Sequence, residues 1–209
     1  MQDQTLQSII QTLTHNDKIG VLLVAQMGAT PQEVQLILQT ADYDEETYTV
    51  TTGDTFIIRC IGVEDHRISV GLFNRLIVTD EHPVLWNYNE VFRQIYFKGT
   101  PDNIDGLMLE LNQLYGQHYG EVRNLAQDIN RMAPLETILK RGNGLLGEMA
   151  RPMAEKIKAL FARYEMEVNL VPSEQEEPPF KHVLLVMDDS FVIAQLFSAD
   201  PLEGRGGNL

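Results

Sequence analysis

Helical, then extended, then helical spacings of apolar residues succeed one another along this chain, and a short extended pattern closes it. In residues 3–13, Leu6, Ile9, Ile10 and Leu13 fall on one helical face behind Asp3, a capping residue. Ile19-Gly20-Val21-Leu22-Leu23-Val24-Ala25 is short, apolar and partly β-branched, which predicts a buried strand. Thr30-Pro31-Gln32-Glu33 then offers a cap, a proline suited to the first helical position and a capping-box glutamate. Val34, Ile37, Leu38 and Ala41 continue at helical spacing, so a helix is expected as far as the acidic run at 42–46.

Between 47 and 98 the pattern is extended. Residues 48–51 and 55–61 read as antiparallel strands joined by a tight turn at Thr52-Gly53-Asp54. Further strands are expected at 67–72, 76–79, 84–86 and 91–98. Thr100-Pro101-Asp102-Asn103 opens a helix with the stripe Ile104, Leu107, Met108, Leu111, Leu114 and Tyr115. Val122, Leu125, Ile129 and Met132 mark another helix. Pro134 opens a short one that Gly142-Asn143-Gly144 stops, and Pro152 begins the last, to about Glu165. A strand at 166–171 precedes an acidic, proline-rich linker at 173–179. Residues 182–187 and 191–197 then flank Asp188-Asp189-Ser190 as a hairpin.

This order predicts an α+β fold: a mainly antiparallel sheet of about 5–8 strands packed with several helices, and a C-terminal hairpin rejoining the sheet. One domain is expected overall, with its core over 1–172, the linker at 173–179, the hairpin at 180–200 and a disordered tail at 201–209.

Composition adds constraints. The 209 residues carry a formal net charge of −14, which repels nucleic-acid phosphate and anionic membrane, so no DNA or RNA partner is expected. The opening residues Met1-Gln2-Asp3-Gln4 lack a basic region and an apolar signal core, and no apolar run is long enough to span a bilayer. Cys60 is the single cysteine and lies in an apolar run, as a buried and inert thiol would. These features together predict a cytoplasmic protein.

Three places carry candidate chemistry. Glu64-Asp65-His66-Arg67 is answered by Asp80-Glu81-His82-Pro83. In one continuous strand the two clusters would stand about 50 Å apart. A hairpin turning at Asn74 would instead set His66 opposite His82, Arg67 opposite Glu81, Val70 opposite Val78 and Leu72 opposite Leu76. Two imidazoles with the carboxylates of Asp65, Asp80 and Glu81 could then bind a divalent metal and activate water, or act as acid and base without one. Gly142-Asn143-Gly144-Leu145-Leu146-Gly147 is a literal G-x-G-x-x-G, which would hold a nucleotide phosphate if it followed a strand and opened a helix. Here it follows a helical pattern and reads as a helix stop. Arg141-Gly142-Asn143-Gly144 faintly resembles the pyrophosphate loop of acyl-CoA-dependent N-acetyltransferases. That loop calls for Arg or Gln where this chain has Leu139, and Pro152 interrupts the helix that should follow.

The third place is basic. Lys140, Arg141, Arg151, Lys156, Lys158 and Arg163 face only Glu148 and Glu155, which makes this stretch net positive within an acidic chain. Met149, Met153, Ile157, Leu160, Phe161 and Tyr164 form its apolar stripe, expected to pack in the core. Such a helix can dock on an acidic protein partner or a membrane surface. The leading expectation is a non-enzymatic binding or regulatory protein that contacts another protein or itself as a homo-oligomer and needs no cofactor. A metal-dependent hydrolase built on His66 and His82 is the alternative.

Overall fold

The structure is a computed structural model and describes residues 4–15, 18–44, 46–174 and 178–202. Asp3, the middle of the expected linker and most of the expected tail lie outside the described residues. The fold is α+β with antiparallel sheets, and the C-terminal strands return to them. The described residues form twelve strands and five α-helices.

In chain order, α1 (Gln4–His15) leads to β1 (Ile19–Met27), β2 (Glu33–Asp44), β3 (Thr49–Ile61), β4 (Asp65–Arg67), β5 (Gly71–Phe73) and β6 (Leu76–Thr79). Next come α2 (Trp86–Asn89), β7 (Phe92–Lys98), α3 (Ile104–Tyr119), α4 (Leu135–Lys140), β8 (Asn143–Ala150), α5 (Arg151–Arg163) and β9 (Glu167–Pro172). The chain closes with β10 (Val183–Met187), β11 (Ser190–Ala194) and β12 (Leu196–Pro201). Contacts divide it into two compact units, Met1–Asp80 with His182–Leu209, and Glu81–Lys181.

The first unit has two sheets, in the orders β12-β3-β2-β1-β5 and β4-β11-β10-β6. Its core joins Leu6, Ile9 and Leu13 of α1 to Leu36, Leu38, Ile58 and Cys60 of one sheet and Leu76, Leu185 and Val192 of the other. The expected helix at 34–41 is overturned, for this segment is β2. Val34, Leu36, Leu38 and Thr40 are buried at a period of two, a spacing these residues carry alongside the helical one. Pairing with β1 on one side and β3 on the other decides between them. Thr30-Pro31 is therefore a hairpin turn, closed by Glu33 N–H donating to the Thr30 carbonyl at 3.1 Å. The turn expected at Thr52-Gly53-Asp54 is also absent, because β3 runs straight through it. Gly53 instead leaves room for the Thr40 hydroxyl, which a Cβ there would meet at 2.6 Å, beside the register shift between Gln39 and Ala41.

The second unit has the three-stranded sheet β8-β7-β9, on which α5 packs, with α3 against α4 and α5. Asn103 caps α3 by accepting from Gly106 N–H at 2.8 Å, and Leu107, Leu111, Tyr115 and Tyr119 form its buried face. The strand expected at 84–86 is a 3₁₀ turn running into α2, since Pro83 starts a helix and His82 caps it. The helix expected from Val122 to Met132 is only a 3₁₀ turn, Leu125–Gln127, because Ile129 instead bridges to Gly147 in extended form.

Candidate interaction surface

The hairpin that would face His66 with His82 is not formed. Arg67 stands opposite Phe191, Leu72 opposite Val21, Leu76 opposite Met187 and Val78 opposite Leu185. The residues around Asn74 leave one sheet for the other, because β5 pairs with β1 and β6 with β10. Asp65 accepts from the His66 backbone N–H at 2.8 Å. Asp80 and Glu81 are exposed. His82 accepts from Val84 N–H through Nδ1 at 3.2 Å, and burial of its ring holds its pKa below the usual imidazole value. Among the described residues no group of three or more His, Cys, Asp or Glu side chains is placed to hold a metal ion. Burial pushes the Cys60 thiol up to about 12.

The glycines at 142–147 have structural reasons. Gly142 ends α4 at φ 72°. Gly147 gives way to another backbone, for a Cβ there would lie 2.3 Å from the Asp128 carbonyl oxygen. The motif follows a helix and is itself strand β8, so the strand–loop–helix cradle for a pyrophosphate does not arise.

The basic stretch is largely engaged within its own unit. Arg151 meets Glu90 at 2.9 Å, Arg163 meets Glu110 at 2.5 Å and Lys140 meets Glu136 at 2.5 Å. Lys156 lies 5.8 Å from the centre of the Trp86 ring. Arg141 and Lys158 are exposed. Met153, Ile157, Leu160 and Phe161 are buried against the sheet, and Met149 belongs to β8 rather than to the helix. A groove of about 790 Å³ between α3 and α5 is lined by Leu109, Gln113, Leu114, Lys156 and Ala159.

A different surface, on a strand whose apolar pattern predicts burial, is more open. β1 pairs with β2 along its length, but on its other side with β5 only from Gly20 to Leu22. From Leu23 to Met27 every residue is exposed, and no other described strand pairs with that edge. Met27 is 66% exposed, and nearby Val70 and Leu72 are each 64% exposed. Beside the free edge lies a groove of about 500 Å³ lined by Ala25, Met27, Val34, His66, Ile68 and Val70. His66 and Gln26 thus bring polar groups to a groove whose other lining residues are apolar. No charged side chain occurs between Lys18 and Glu33. Of the strands at sheet edges, β12 carries Asp200 and Pro201, β4 Asp65 and Arg67, β9 Glu167 and Pro172, and β8 Glu148, whereas the short β5 and β6 carry neither charge nor proline. Charge and proline deter unwanted strand pairing, and β1 has neither, only a bulge between Leu22 and Val24.

No protein family model, characterised protein or solved structure matches this chain. No helix among the described residues is long and apolar enough to cross a membrane.

Proposed function

We propose that this chain is a non-enzymatic binding or regulatory protein that acts through protein–protein contact. The observation that carries this reading is the uncharged, exposed edge of β1 at Leu23–Met27, set beside an apolar groove. An open strand offers a row of backbone N–H and C=O groups to an incoming strand, and the groove receives its alternate side chains. The basic helix contributes less, since most of its cations already have acidic or aromatic neighbours. Net charge argues for a protein partner over nucleic acid, and a lone buried thiol fits the cytoplasm.

A photo-crosslinking residue in place of Val24 tests the reading. It is expected to yield a covalent adduct with protein in living cells, and the same residue in place of Lys98, on β7 in the other unit, is expected to yield far less. Equal labelling at the two positions, or none at Val24, overturns it.

A further inference from the structure

The free edge of β1 also specifies an occupant. Resting on the protein–protein reading above, we propose that a second copy of this chain pairs with it, β1 against β1, antiparallel about a two-fold axis through Ala25. The free segment is bounded on one side by the β5 pairing at Leu22 and on the other by the turn at Gly28, where the amide donates to the Glu33 carbonyl. Leu23–Met27 has Ala25 at its centre. A two-fold through that residue is the register in which both free edges are used in full.

That register is self-complementary. Leu23 stands opposite Met27 of the second copy, and Met27 opposite its Leu23, so exposed apolar side chains face one another twice. Ala25, the smallest side chain of the segment, lies on the axis where two identical residues must meet. Val24 faces Gln26, whose amide already bonds Gln35 at 3.2 Å on the paired side. An isologous contact of this kind closes on itself and does not propagate into a fibre. Charge sets where two copies can meet. Two chains of net charge −14 repel, and their approach is least opposed through the stretch between Lys18 and Glu33, which bears no charge. Val70 and Leu72 border the same edge and extend the apolar contact beyond the paired strands.

Opposed Cα atoms in an antiparallel pair lie about 4.5–5.5 Å apart, within the span a disulfide bridges. Ala25→Cys is therefore expected to give a disulfide-linked dimer under mild oxidation, at least tenfold faster than Tyr48→Cys, an exposed control. Leu23→Cys mixed with Met27→Cys is expected to crosslink, and each alone to do so poorly. The unsubstituted chain is expected to run as a dimer in size-exclusion chromatography with light scattering, and Val24→Lys as a folded monomer. Ala25→Cys crosslinking no faster than the Tyr48 control overturns the proposal, as does an unsubstituted chain that stays monomeric. If the photo-crosslinker at Val24 captures a different protein while Ala25→Cys fails to self-link, the second copy is excluded and the docking surface stands. If neither captures anything, both fall.

Discussion

Asp128 is buried between a guanidinium and a phenol. Arg123 Nε donates to it at 2.9 Å and the Tyr115 hydroxyl at 3.1 Å, while its side chain is only 3% exposed. The carboxylate in turn holds the Arg123 pKa above its ordinary value. Removing one member of a buried pair strands the other, so Asp128→Ala is expected to destabilise the protein by about 3–5 kcal/mol in urea unfolding. A loss under 1 kcal/mol would mean that Arg123 finds water instead. Asp188 does a different job at the surface. Its carboxylate accepts from Asn74 N–H at 2.8 Å and from Arg75 N–H at 3.2 Å, and so fixes the crossing between β5 and β6. Its φ of 47° lies in the left-handed region that Asp, Asn and Gly tolerate. Asp188→Ala is expected to cost about 1–3 kcal/mol by the same measurement. The sequence assigned Asp188 to a turn, rightly, but its partners lie over a hundred residues away and no local pattern reveals them. Likewise, the folded pKa of Cys60 is about 12 against an ordinary 9.0, because burial disfavours the thiolate. A raised folded value means that the contribution is full below pH 9 and is lost as pH rises toward 12. Stability is expected to fall across that window in the parent chain and less steeply in Cys60→Ala. Thiol reagent at pH 8 is expected to label only the unfolded chain.

At the scale of elements, Gly147 of β8 tests how strands are fitted together. Gly147→Ala would drive its methyl into the Asp128 carbonyl and break the bridge to Ile129. A loss of about 1–3 kcal/mol is expected from the melting temperature, the usual cost of overpacking. Fold class was legible because strand and helix textures segregate along the chain, and α3, α4, α5 and the β10–β11 hairpin were legible from caps, prolines and turn residues. β2 was not, since Val34–Ala41 satisfies both periodicities and only its neighbours β1 and β3 choose. The open edge of β1 was hidden for a related reason. An apolar strand reads as buried, and whether its edge is covered depends on β5, which stops pairing at Leu22. The hairpin expected to turn at Asn74 is missing at this same scale, because β5 and β6 belong to different sheets.

At the scale of the molecule, residues Glu81–Lys181 form a unit whose sequence interrupts that of another. The chain leaves the host unit after β6 and re-enters on β10, and these strands pair with Thr79 opposite Leu184. The two junctions are therefore adjacent in the host. Replacing residues 81–181 with a short glycine–serine loop is expected to leave a folded host with a cooperative melt and β-rich circular dichroism. A chain without a melting transition would show that the host depends on the inserted unit.

The insertion also orders events during synthesis. The strands β4 and β6 meet partners that emerge long after them, and the bond from Arg67 to Asp189 spans 122 residues. At about 5–20 residues per second, translating the inserted hundred takes roughly 5–20 s. Through that interval the segments of α1 and β1–β3 have been made, but the β10–β11 layer that joins Leu36, Leu38 and Ile58 in the core has not. The continuous unit is therefore expected to fold before the host is complete, with the host's core face and its uncharged β1 edge open in that interval. Chains arrested before β10 is made are therefore expected to aggregate more readily than the full chain, which sedimentation of stalled and released products checks.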